Sequence, residues 1–90
     1  MVNHRNKREL IIIAGAGEVG THLAKLLSRE EQDIILIDND EEKLRELDAN
    51  YNLMTVIGNP TAFQTLKQAQ VYKADLFIAV MPFESRNIMA

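Results

Sequence analysis

Leu10 to Gly20, LIIIAGAGEVG, decides the fold of this chain. Leu10, Ile11, Ile12 and Ile13 form an unbroken apolar run, the pattern of a strand buried on both faces of a parallel sheet. Gly15, Ala16, Gly17, Glu18, Val19 and Gly20 follow at once and complete G-x-G-x-x-G. In a strand–turn–helix of this kind each glycine has a mechanical task. Gly15 permits the tight turn, Gly17 lets backbone approach a pyrophosphate, and Gly20 lets the helix pack closely on the strand. The free amides and positive dipole end of that helix then face the anion.

Working outward, a second apolar run, Ile34 to Ile37, ends in Asp38. This is the spacing of about twenty residues past the glycines that a dinucleotide fingerprint requires. A carboxylate there accepts hydrogen bonds from ribose hydroxyls and repels a ribose 2′-phosphate. It therefore suits NAD, NADH, ATP, ADP or AMP better than NADP. The plainer alternative is that the glycines only tighten a turn and Asp38 is a solvated strand end. Strand, glycines, helix, strand and acid in the correct order favour nucleotide binding.

Composition limits the other classes. Ninety residues allow one small domain. A formal net charge of −3 argues against a general binder of nucleic-acid backbone. The chain has no cysteine, so disulfides, thiolate metal sites and thiol nucleophiles are excluded. No apolar run approaches the roughly twenty residues that span a bilayer, so direct membrane insertion is not expected. Met1 to Arg8 lacks the apolar centre of a secretory signal. Residues 1–9 are read as a flexible polar segment that frays or caps the first strand, and residues 10–90 as the folded domain.

The first helix is expected over about Gly17 to Arg29, with Val19, Leu23, Leu26 and Leu27 as its buried stripe. His22 has no partner at metal-ligand spacing and reads as a helix-surface residue. Strand two spans Asp33 to Asp38. Asn39 or Asp40 caps a second helix, Glu41 to about Ala49, which buries Leu44 and Leu47. Glu42 and Glu46 can pair with Lys43 and Arg45, and Asn50 is a plausible left-handed stop. Strand three covers Leu53 to Ile57 and is broken by Gly58 and Asn59-Pro60. Thr61-x-x-Gln64 reads as a capping box for a third helix, Ala62 to Ala69, with Phe63 and Leu66 inward. Strand four, Asp75 to Val80, reads as another doubly buried run ended by Pro82, and Glu84 to Ala90 starts a fourth helix.

The order β-α-β-α-β-α-β with short loops predicts an α/β fold, a Rossmann-like doubly wound parallel sheet in order 3-2-1-4. Ligands of such sheets bind at the carboxyl ends of the strands, where the strand order reverses. The candidate cofactor-binding residues are therefore Gly15, Ala16, Gly17, Glu18, Val19, Gly20, Asp38, Asn39, Gly58, Asn59 and Met81. The Glu18 side chain itself would compete with a phosphate. No catalytic or metal-ligating set is expected.

The GAGEVG loop with its following THLAKLL, the segment IDNDEEKLREL from Ile37 to Leu47, and DLFIAV followed by Asn87 resemble the TrkA-N family. That family, also called KTN or RCK-N, comprises the N-terminal nucleotide-binding domains of Trk-type potassium-uptake regulators. The likeness covers Leu10 to Ala90. It implies an NAD(H)- or adenine-nucleotide-binding domain that does no chemistry. It also implies a homo-oligomer, dimer or tetramer, in the cytoplasm and peripheral to the membrane through a potassium transporter. By position, Gly15, Gly17 and Gly20 correspond to the phosphate loop and Asp38 to the ribose-binding acid. Three positions depart from the family pattern. Asn59-Pro60 stands where an acid is frequent, Met81-Pro82-Phe83 replaces a Thr-rich loop, and Gln70 replaces a helix-ending glycine. A full domain of this type has about six strands, so the chain reads as a truncated half-fold of a longer regulator.

The rival class is the cofactor-binding fragment of an NAD-dependent dehydrogenase, because one fold serves many functions. An enzyme needs a general acid or base near the nicotinamide. His4 and His22 are badly placed for that, Glu84 has no evident partner, and Ser28 and Ser85 have no paired histidine.

Overall fold

A computed structural model describes residues 8–80. Met81 and the expected helix over Glu84 to Ala90 lie outside them. The elements are β1 (Leu10–Ala14), α1 (Glu18–Leu27), β2 (Asp33–Asp38), α2 (Glu41–Asn50), β3 (Met54–Ile57), α3 (Phe63–Gln68) and β4 (Leu76–Ala79), with one 3₁₀ turn, Val71–Lys73. All strand pairs are parallel and the order is β3-β2-β1-β4. This is the expected Rossmann-like sheet, with β1 and β4 adjacent where the order reverses.

The unbroken isoleucine runs are explained by two cores. Side chains alternate across a strand, so one run serves both faces. Ile11, Ile13, Ile34 and Leu36 pack with Ala24, Leu44 and Leu47 on the side of α1 and α2. Ile12, Ile35 and Ile37 pack with Ala69, Leu66 and Val71 on the side of α3. The start of the sheet is tied by a reciprocal pair. Leu10 N–H donates to Asp75 Oδ2 at 2.7 Å, and Asp75 N–H donates to Leu10 O at 2.8 Å. Arg8 is held as well: its Nε donates to Asp33 Oδ1 and its Nη2 to the Gln32 carbonyl. These contacts tie Arg8 to the start of β2.

Several local expectations need correction. The buried face of α1 is Gly20, Leu23, Ala24 and Leu27, whereas Val19 and Leu26 are exposed. The small residues decide this, because the helix comes closest to the sheet where Gly20 and Ala24 face it. Asn50 is not left-handed. It is the last residue of α2, where its Nδ2 donates to Glu46 O, and the chain leaves through extended Tyr51. The capping box is absent: Ala62 is the N-cap of α3, and Thr61 gives both its N–H and its hydroxyl to Asn59 Oδ1. The Asn59 side chain forms a local turn there, which outcompetes the cap. Phe63 is 77% exposed because α3 turns Leu66 and Ala69 to the sheet, and Phe63 lies off that face. Strand β4 is not doubly buried. It is the edge strand of the described sheet, with Leu76 and Phe77 exposed. The α2 ion pair is Arg45–Glu41 at 2.7 Å, while Lys43 turns elsewhere. Gln70, standing where a helix-ending glycine is common, takes the left-handed conformation that such a glycine would supply, with φ 61° and ψ 44°.

Candidate functional site

The site begins at the end of β1. Gly15 has φ 114°, a conformation that L side chains rarely adopt, and its N–H donates to Ile37 O at 2.8 Å. The chain thereby turns sharply off the sheet and enters α1 at Gly17. A Cβ on Gly20 would lie 2.0 Å from Gly15 O, so helix and turn are in backbone contact there. A Cβ on Gly17 would meet nothing within 4 Å, so this position faces open space. No side chain caps the N-terminus of α1. Its first-turn amides have no intrahelical acceptor by construction. By contrast, α2 is capped in the ordinary way, with Asp40 Oδ1 accepting from Lys43 N–H at 3.1 Å.

Asp38 ends β2 beside this turn. Its Oδ1 accepts from Ala16 N–H and its Oδ2 from Asp40 N–H, both at 3.0 Å. One carboxylate therefore holds the glycine turn and the start of the β2–α2 connection together. An ionised carboxylate has about four lone-pair sites, so two remain for a ligand. The Ala16 carbonyl is held too, accepting from Thr21 Oγ1 and from Lys43 Nζ, each at 2.9 Å.

Together these groups border a cleft of about 320 Å³ at the carboxyl end of the sheet. Of the residues expected from sequence, Gly15, Ala16, Gly17, Asp38 and Asn39 line it. Glu18 and Val19 are exposed in the first turn of α1 but do not line it, and Gly20 is buried behind the turn. Gly58 has a different use. Its N–H donates to Asp38 O, and a Cβ there would lie 2.6 Å from Thr65 Oγ1, so it lets α3 approach the end of β3. Asn59 Oδ1 is taken by Thr61, and the neighbouring Pro60 lines the cleft. Sequence reasoning missed Pro60, Val80 and above all Lys43. The signal for Lys43 was its place three residues after the helix cap Asp40. That position turns its side chain back over the glycine turn.

The Trk system potassium uptake protein TrkA of Halomonas elongata is 44% identical over 80 residues, covering 89% of this chain and 18% of that protein. The protein of the same name from Haemophilus influenzae is 41% identical over the same shares. A TrkA homolog from Methanothermobacter thermautotrophicus is 31% identical and is covered over 37% of its length. The chain thus spans about a fifth of the two bacterial relatives. No described helix is long and apolar enough to cross a membrane. The profile of the TrkA-N domain matches residues 11–90, nearly all of the sequence, and the chain belongs to that family.

Proposed function

We propose that this chain is the nucleotide-sensing domain of a Trk-type potassium uptake system. It binds NAD or NADH, or alternatively ATP, ADP or AMP, in the cleft over Gly15 to Gly17. It passes the state of that ligand to a membrane transporter subunit and catalyses no reaction itself. Its place is cytoplasmic, on the inner face of the membrane through that partner. The relatives' names, which specify potassium uptake, support the regulatory reading over a dehydrogenase.

The observation that carries the proposal is the meeting of the uncapped start of α1, the open face of Gly17 and the Asp38 carboxylate at one cleft. The residues fit an adenine dinucleotide. Helix amides serve the pyrophosphate, and the two spare acceptor sites on Asp38 serve the ribose diol. We also propose that the chain self-associates through the region Asp75 to Ala90, since edge strand β4 carries exposed Leu76 and Phe77.

The test is thermal unfolding with NADH, ADP and NADP. A ligand that binds only the folded state stabilises it by about 2.7 kcal/mol at a hundred times its dissociation constant. NADH or ADP should raise the melting temperature and NADP should do markedly less. Asp38→Ala should fold and respond weakly. An equal response to NADP refutes the role of Asp38, and no response to any nucleotide refutes the binding function.

A further inference from the structure

Lys43 is half-buried, yet it makes no ion pair among the described residues. Acids are its neighbours in the sequence and at the cleft. Glu41 and Glu42 precede it in the first turn of α2, Asp40 caps that turn, and Asp38 stands at the cleft. None of these carboxylates is its ion-pair partner. Here its Nζ instead reaches across from α2 to the Ala16 carbonyl at 2.9 Å. Its backbone is fixed as well, because Lys43 N–H is the donor that Asp40 caps.

This places an ammonium group on the wall of the cleft, where it is the sole cation among the described lining residues. One of its three protons is committed to Ala16 O, which leaves two donors. Among the described residues, the other charges noted at the glycine turn are negative, from Asp38 and from Glu18 in the first turn of α1. A ligand carrying phosphates meets these carboxylates as it approaches. Backbone amides and a helix dipole contribute only partial charges. A full positive charge can come only from a side chain, and among the described lining residues Lys43 is the one in position.

We infer that Lys43 is a ligand-binding residue of this cleft, fastening the glycine turn through Ala16 O while supplying the cationic charge that holds a ligand phosphate. The inference rests on the nucleotide reading above. It adds that binding depends on ligand charge through one named side chain on α2, outside the glycine motif. Lysine suits the task because its ammonium can share its donors between a carbonyl and a phosphate oxygen.

Calorimetry with NADH and ADP on the whole chain, at low and high salt, tests this. The proteins are wild type, Lys43→Met and Lys43→Arg. Methionine keeps an unbranched stem and a similar helix propensity but removes charge and donors. Lys43→Gln serves in its place if that variant fails to fold. Charge-assisted hydrogen bonds are about twice as strong as neutral ones, so the neutral variant should bind both nucleotides at least roughly tenfold more weakly. Wild-type affinity should fall as salt rises, and the neutral variant should respond less, because the screened attraction is gone. Arginine should recover most of the affinity.

If Lys43 only props the turn, the neutral variant weakens with an unchanged salt response, and the inference is overturned. Unaltered affinity in the neutral variant overturns it as well. Wild-type protein that binds neither nucleotide overturns the nucleotide reading itself, which is a distinct result.

Discussion

Gly20→Ala adds a single methyl group at the closest approach between α1 and the turn after β1. That carbon would sit 2.0 Å from Gly15 O and 3.1 Å from Gly15 C. Real Cβ atoms essentially never come within 3.0 Å of a neighbour, so helix and turn must separate by about 1 Å or more. The obstacle is backbone, which cannot rotate aside as a side chain can. Gly15 is also fixed by its hydrogen bond to Ile37 O and by its positive φ. Against this, alanine in a helix interior gains up to about 1 kcal/mol over glycine. Overpacking costs about 1–3 kcal/mol and more where backbone must shift, so the net loss should be about 1–2 kcal/mol. In a domain of this size each kcal/mol moves the melting temperature by about 4–8 °C. Urea and thermal unfolding of the ligand-free chain measure this directly. Gly17→Ala is the control: its Cβ meets nothing, and it should cost only about 0.5–1 kcal/mol, the gap between glycine and alanine at an N-cap. A Gly20→Ala protein as stable as wild type, or a Gly17→Ala protein that loses more, would refute the division of labour between the two glycines.

Gly58→Ala should also destabilise, by about 1–3 kcal/mol, because its Cβ would strike Thr65 Oγ1 and Cγ2 at 2.6 and 2.9 Å. Much of that loss should vanish in a Thr65→Ala background, and additive losses in the double-mutant cycle would refute the contact. Gln70→Gly should raise stability by about 0.5–1 kcal/mol in urea unfolding, since a left-handed residue with a Cβ is strained. Light scattering at micromolar concentration should find a dimer or larger assembly. A monomer of about 10 kDa without concentration dependence would refute self-association.

The residues alone determined the topology. Apolar runs too continuous for a one-sided sheet, separated by helical periodicity and short loops, leave few arrangements once crossovers must be right-handed. The same local chemistry made the glycine turn and Asp38 legible, because Gly15 and Gly20 answer backbone demands that no other residue meets as cheaply. At Gln70 only the resemblance, which places a helix-ending glycine there, pointed to the left-handed conformation.

Tertiary packing decided what periodicity could not. The face that α1 buries is set by where Gly20 and Ala24 let it touch the sheet, so Val19 is exposed though its spacing looked correct. Asn59 could serve a turn or leave Thr61 free to cap, and only the arrangement of the loop chose the turn. The second use of Asp38, holding Ala16 and Asp40 together, depends on two loops that meet only when β1 and β2 pair. Lys43 is the clearest case. In the sequence it is one charge among the acids of an exposed helix start. In the fold it spans 27 positions of chain to the Ala16 carbonyl, a contact created by parallel pairing that local sequence does not encode.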